Sequence, residues 1–231
     1  MLIGARNGML VKRGYTAKSY PFMPDLGAWD GIENAGFGLH KSNPTQWVDL
    51  SGNNRHFTNL DCLDGFSDDA AIFVNRTGSV QQWKINPYSI KTIEVVGKSA
   101  QTDSYLAFCF SSGWGGTSTR IFSILPTNNR GFQFKSDGKS MYKDWWSKRW
   151  FAACTFGDEN NPIQYYNAEV GQLNTGTSNW VDVGVSIGYV YSSSLYGYSG
   201  EICRVCLHST VLTQEQLAAN YVVHRARFNL P

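Results

Sequence analysis

Glu201-Ile-Cys-Arg-Val-Cys-Leu207, followed after a short loop by Thr213-Gln-Glu-Gln-Leu-Ala-Ala-Asn-Tyr221, contains both kinds of element from which the chain is built. The first run is short, apolar and β-branched, bounded by Gly and Ser, and reads as a strand. The second opens with Thr213 three residues before Gln216, the form of a capping box, and continues with Leu217, Tyr221, His224 and Phe228 at near-helical spacing. That apolar stripe is predicted to lie on a sheet, which makes His224 a packing or capping residue rather than a ligand.

Outward from this pair, strand-like runs recur between clusters of Gly, Asn, Asp, Ser and Pro. They are Ala70 to Val74, Val80 to Ile85, Ile90 to Val96, Tyr105 to Ser111, Arg120 to Leu125, Gly131 to Lys135, Trp150 to Phe156, Ile163 to Glu169 and Val181 to Val190. Aromatic residues make up 14% of the 231 residues and charged residues 16%, a composition that favours strands over helices. The expected fold is all-β: a two-sheet antiparallel β-sandwich of the jelly-roll kind over residues 29–231, with one short C-terminal helix. Residues 1–28 form an extended N-terminal arm. Its first 24 residues carry Arg6, Lys12, Arg13 and Lys18 and no acidic residue, which makes those four the candidate partner-docking residues.

The chain has 20 Lys+Arg against 18 Asp+Glu, a net charge of +2, which excludes the broad basic surface of a nucleic-acid coat. Its apolar runs are far shorter than the roughly 20 residues that span a bilayer, and Arg6, Lys12 and Arg13 interrupt any signal-peptide pattern at the amino terminus. The five cysteines, Cys62, Cys109, Cys154, Cys203 and Cys206, are an odd set within apolar runs and read as buried free thiols. Alternation along a strand predicts that Cys203 and Cys206 face opposite ways, roughly 10 Å apart.

Trp29-Asp-Gly-Ile-Glu-Asn-Ala-Gly36, Trp47-Val-Asp-Leu-Ser-Gly-Asn53, Val185-Ser-Ile-Gly188, Tyr198-Ser-Gly-Glu-Ile202 and Leu212-Thr-Gln-Glu-Gln-Leu-Ala-Ala-Asn-Tyr221 occur in order. Together they resemble the laminin-G-like, concanavalin-A-like jelly-roll domains, and with Met1 to Arg6 they resemble small proteins of gut Bacteroidales and their phages. The resemblance implies a β-sandwich and leaves function open among lectins, adhesion modules, virion components and glycoside hydrolases.

Hydrolases of that superfamily carry Glu-x-Asp-x-x-Glu on one strand, and no Glu of this chain is followed two residues later by Asp. Asp158-Glu159 is a carboxylate pair within a Gly157-to-Pro162 turn, where acidic residues serve the backbone and solubility. Gly97-Lys-Ser99 and Gly138-Lys-Ser140 lack the earlier Gly of a phosphate loop, and the four histidines are dispersed. The chain is therefore expected not to be an enzyme and to need no cofactor. Asp61, Asp64, Asp68 and Asp69 are the one candidate calcium site.

What remains is aromatic. Trp114 between glycines, Trp145-Trp146, and Tyr191, Tyr196 and Tyr198 beside a serine run are the candidate ligand-binding residues, since sugar faces stack on such rings. Trp47, Trp83, Trp150 and Trp180 are predicted core. The expected role is a non-catalytic attachment module, a phage virion or cell-surface component that recognises glycan or a partner protein. Its partners would be a cell-surface polysaccharide, other virion proteins through the arm, and a second copy of itself. The expected location is the virion or an outer surface reached after lysis. A lectin outside any virion and a divergent glycoside hydrolase are the alternatives.

Overall fold

The structure, a computed structural model, describes residues 16, 18–36, 46–58, 60, 63–73, 83–84, 89–99, 132–133, 140–141, 148–157, 163–173, 184–185 and 199–231. In chain order the elements are β1 (Gly27–Asp30), α1 (Gly31–Gly36), β2 (Leu63–Phe66), β3 (Ala71–Phe73), β4 (Trp83–Lys84), β5 (Thr92–Ser99) and β6 (Phe132–Gln133). There follow β7 (Ser140–Met141), β8 (Trp150–Thr155), β9 (Ile163–Tyr166), β10 (Glu169–Leu173), β11 (Gly184–Val185), β12 (Gly200–His208) and α2 (Gln214–Phe228).

Eight strands form one antiparallel sheet in the order β10-β9-β8-β5-β12-β3-β2, with β1 added beside β12. Strand β12 is the spine. Along one edge it pairs with β5 from Gly200 to His208. Along the other, its first residues pair with β3 and Arg204 to Leu207 pair with β1. All six residues of β8 and eight of the nine of β12 are buried, so both faces of the sheet are covered.

One face carries Trp29, Trp47, Phe57, Phe66, Phe73, Ile93, Val95, Trp150, Val205 and Leu207. The 46–58 segment folds onto that face through single bridges, Trp29 to Asp49 and Trp47 to Phe57. Helix α2 covers the other face with Leu217 and Phe228 against Val96, Phe151, Ala153 and Cys203. The all-β reading with one C-terminal helix holds, and Trp47 and Trp150 are core. Two further pairs, β4 with β11 and β6 with β7, are two-stranded. The runs at Tyr105 to Ser111 and Arg120 to Leu125 lie outside the described residues, as does Trp180.

The expected capping box is present with both of its bonds. Gln216 N donates to Thr213 Oγ1 at 3.3 Å and Thr213 N donates to Gln216 Oε1 at 2.9 Å. Leu217, His224 and Phe228 are buried as the stripe requires, and Asn229 closes the helix at φ 53° and ψ 48°.

Two expectations are corrected. The run Ile163 to Glu169 is not one strand but the end of a hairpin. It turns at Asn167 (φ 47°) and Ala168 (φ 64°), both in the left-handed region that a two-residue hairpin loop demands. Cys203 and Cys206 share a face, because the register of β12 against β5 slips between Ile202 and Arg204. That bulge inserts one residue, so Cys203 and Arg204 both turn to the α2 side and Cys206 follows Arg204 there. Cys154, Cys203 and Cys206 are buried free thiols as expected, whereas Cys62 and Cys109 lie outside the described residues.

Asn167 also ties the hairpin to β8. Its Oδ1 accepts from Phe151 N at 3.2 Å and its own N–H donates to Phe151 O at 3.0 Å. Replacing Asn167 with Ala removes the acceptor and keeps the left-handed strain, which should lower stability by about 1–3 kcal/mol in urea unfolding. Asn167→Gly loses the acceptor but relieves the strain, so it should fall between the two.

Candidate functional site

Charged residues in a strand covered on both faces must find partners or destabilise the fold. Glu94 on β5 and Arg204 on β12 are such residues, each 1% exposed. Their strands hold them beneath α2, where Asn220, His224 and Arg227 point down from the helix. From the other side come Asp30, at the junction of β1 and α1, and Tyr20 from the N-terminal segment; both are buried.

Asp30 is the hub of one half of this cluster. Its carboxylate accepts from Arg204 Nη1, from Arg227 Nη1 at 2.7 Å and from Arg227 Nη2 at 3.1 Å. It also caps α1 by accepting from Glu33 N at 3.1 Å. Burial alone would raise the Asp30 pKa, but the two guanidiniums outweigh it and hold the carboxyl below its ordinary value. Glu33, partly exposed, accepts from Arg227 Nη2 at 3.0 Å. Arg204 Nη2 and Arg227 Nε have no acceptor, and both guanidiniums lie over aromatic rings instead. The Arg204 guanidinium is 4.1 Å from the Tyr20 centroid and that of Arg227 is 5.3 Å from the Phe228 centroid.

Glu94 is the hub of the other half. Its Oε1 accepts from His208 Nε2 at 2.7 Å and Asn220 Nδ2 at 2.9 Å, and its Oε2 from His224 Nε2 at 3.3 Å. Burial would raise Glu94, yet hydrogen bonds from His208 and His224 hold it well below the carboxylate range. His224 is lowered, chiefly by burial, with Arg204 and Arg227 acting in the same direction. Neutral His224, donating from Nε2, must accept at Nδ1, and there Tyr20 Oη donates at 3.0 Å. Arg227 Nη1 in turn donates to Tyr20 Oη at 3.3 Å. Burial pushes the Cys206 thiol up to about 12, so it remains protonated beside Arg204 Nε, which donates to its sulfur at 3.0 Å.

A second ion cluster sits where β2 turns into β3. Arg149 donates with Nη2 to Asp69 Oδ1 at 2.9 Å and to Glu201 Oε2 at 2.8 Å, with Nη1 on Asp69 Oδ2. Arg149 Nη1 also reaches the carbonyl of Phe228 at the end of α2, at 3.4 Å. Gly31 packs against the same turn, and a Cβ there would stand 2.5 Å from Ala70 N, so only glycine fits.

The candidates named from sequence fall as follows. Asp69 is buried and both of its carboxylate oxygens face Arg149 in an ion pair, while Asp64 and Asp68 are exposed. Among the described residues no group of three or more His, Cys, Asp and Glu is arranged to hold a metal. Asp61, Trp114, Trp145, Trp146, Tyr191, Tyr196, Tyr198, Arg6, Lys12 and Arg13 lie outside the described residues. Lys18 is exposed. The later part of the expected arm lies on the body. Tyr20 is 4% exposed, Phe22 N donates to Asn220 Oδ1 at 3.1 Å, and β1 begins at Gly27. His224 is the packing residue the helical stripe implies, with a hydrogen-bonding role in addition.

Sequence reasoning missed Asp30, Glu94, Arg204 and Arg227 as a group. The signals were present: Arg204 and Glu94 interrupt apolar runs, and Asp30-Gly-Ile-Glu33 has the form of a helix cap with an acid at its third position.

No protein-family model matches the chain and no curated protein matches it. Solved structures do. A Trypanosoma rangeli sialidase in complex with sialic acid is 12% identical at a TM-score of 0.59, over 86% of this chain and 32% of that one. The same enzyme as a covalent intermediate with 2,3-difluorosialic acid is 11% identical at a TM-score of 0.61, again over 86% and 32%. A Ruminococcus gnavus sialidase CBM40 bound to α2,3-sialyllactose is 17% identical at a TM-score of 0.48, over 65% of this chain and 95% of that one. The chain thus spans about a third of the length of the T. rangeli sialidase, and at these identities the likeness is one of fold.

The two carboxylates that meet Arg227, one buried and one partly exposed, make a ranking testable. Asp30→Ala leaves two buried guanidiniums without their carboxylate and should cost about 3–5 kcal/mol in urea unfolding. Glu33→Ala removes a partly exposed partner of the same Arg227 and should cost less than about 1 kcal/mol.

Proposed function

We propose that the chain is a non-catalytic attachment module, a virion or cell-surface component that binds a glycan through aromatic residues in loop-like stretches of its sequence. The observation that carries the non-catalytic part is the fate of the buried acids. Among the described residues these are Asp30, Asp49, Asp69 and Glu94. Asp30 and Asp69 face arginines, and Glu94 faces two histidines and an amide. Asp49 accepts from the backbone N–H groups of Ala28 and Ser51, both at 2.9 Å, and of Arg55 at 3.0 Å. Most glycoside hydrolases need two carboxyl groups open to one scissile bond at a set separation, and none of these four is free for that role.

The ligand class draws on two supports. The sequence offers Trp114, Trp145, Trp146, Tyr191, Tyr196 and Tyr198 in loop-like contexts, rings suited to stacking on sugar faces. The T. rangeli sialidase, whose fold resembles most of this chain, is a protein whose structure holds sialic acid. The arm is a second surface, for a partner protein. Its candidate docking residues are Arg6, Lys12, Arg13 and the exposed Lys18, all ahead of Tyr20, which belongs to the buried cluster.

A glycan array that includes sialylated oligosaccharides, run with and without calcium, tests the reading. Saturable binding should fall by about 1.5–2.5 kcal/mol, or ten- to seventyfold, in a folded Trp114→Ala or Trp146→Ala variant. A polysaccharide panel should show no turnover, and turnover that disappears in Asp158→Ala or Glu159→Ala would overturn the non-catalytic reading. Removal of residues 1–15 should leave glycan binding intact and abolish incorporation into an assembly.

A further inference from the structure

We propose that the Tyr20–His224–Glu94 chain of hydrogen bonds is an acid-released latch, in which a second proton on the His224 ring loosens the hold of the N-terminal segment and helix α2 on the sheet together. The geometry makes the imidazole a relay with a fixed direction. Glu94 can only accept, so His224 Nε2 carries a hydrogen at 3.3 Å, and Nδ1 must present its lone pair to Tyr20 Oη at 3.0 Å. Tyr20 Oη receives Arg227 Nη1 from its other side at 3.3 Å. A proton added at Nδ1 turns this acceptor into a donor. The Tyr20 hydroxyl then faces two donors, and its own hydrogen loses its acceptor in a site closed to water.

The charges around the ring oppose that proton. From β12 come Arg204, His208 and the Cys206 thiol; from α2 comes Arg227. From β5 comes Glu94, already occupied by His208 Nε2 and Asn220 Nδ2, and from β1 comes Asp30, which is spent on the two arginines. Against the ring faces lie the Tyr20 ring at 4.7 Å, Phe151 at 5.0 Å and Phe228 at 6.3 Å between centroids. Burial first, and then Arg204 and Arg227, lower His224 from its ordinary 6.5 despite Glu94. The loosened form therefore binds more protons than the docked form once pH falls below about 6.5. Docking weakens from there down to the lower native value and is unaffected above.

Tyr20 and Asn220 place two chain segments on the same switch. Phe22 N and Phe22 O are both held by the Asn220 side chain, at 3.1 and 3.0 Å, and Asn220 is held by Glu94. Loss of the His224 contact thus loosens the root of the arm as well as the helix. Elsewhere α2 is held by Arg227 on Asp30 and by Arg149 at the Phe228 carbonyl, contacts that carry no imidazole.

Hydrogen exchange of the full chain at pH 7.5 and 5.5, corrected for intrinsic rates, reads the latch directly. Opening of α2 amides should rise several-fold on acidification while β5 and β8 amides keep their protection. His224→Gln can donate to Glu94 and accept from Tyr20 without titrating, and should abolish the acid response; His208→Gln should retain it. A response that persists in His224→Gln, one that is lost in His208→Gln, or a parallel rise in all amides would overturn the proposal. Should His224→Gln not fold, ring resonances of the wild-type histidines decide. A His224 midpoint at or above the ordinary imidazole value, or one that does not coincide with α2 opening, equally overturns it.

Discussion

The carboxylate of Asp30, buried between the guanidiniums of Arg204 and Arg227, is the constraint that the rest of the α2 face depends on. Two cations and one anion in a site closed to water are tolerable only if every remaining donor meets an electron-rich partner. The Tyr20 ring under Arg204 and the Phe228 ring beside Arg227 meet that need, and Glu33 supplies a second carboxylate at the margin. A single residue thereby ties four elements together, since Asp30 ends β1, caps α1, and binds both β12 and α2. Apolar side chains of similar volume would fill the same space at less electrostatic cost, but they would not specify which way the helix lies.

The two faces of the sheet solve the burial problem differently. On one face large aromatic side chains interlock, and register is set by shape. On the other, Leu217 and Phe228 supply the apolar contact while Glu94, Asn220, His224 and the arginines set direction. The bulge in β12 connects the two solutions. By inserting a residue after Ile202 it turns Arg204 and Cys206 toward the helix, while Val205 and Leu207 remain in the aromatic core.

Elements specified by neighbours in the chain were legible in the sequence. The Thr213 cap, the Leu217-to-Phe228 stripe, β8 and β12 each depend on residues within a few positions of one another. The β12 bulge was not legible, because Ile202-Cys-Arg-Val205 reads equally well with and without an inserted residue. Nor was the buried cluster, whose members come from residues 20, 30, 94, 204, 208, 220, 224 and 227. Each looks like an ordinary polar residue until the sheet brings it beneath α2. Asp69 shows the same effect, since its ion-pair partner Arg149 lies far away in sequence.

The central place of β12 also governs the order in which the protein acquires its shape. Residues 27–30 wait for residues 204–207, and both β3 and β5 complete their pairing on the same late strand. During synthesis the β5–β8 ladder and the β8–β9–β10 hairpins are available early, but their open edge beside β5 stays exposed until nearly the whole chain has left the ribosome. Closure of the sheet is then a late, long-range event, in which β1, bridged to the 46–58 segment through Trp29 and Asp49, meets β12 only after more than 170 intervening residues. Until then the open edge of β5 is a place where pairing with a wrong strand can begin.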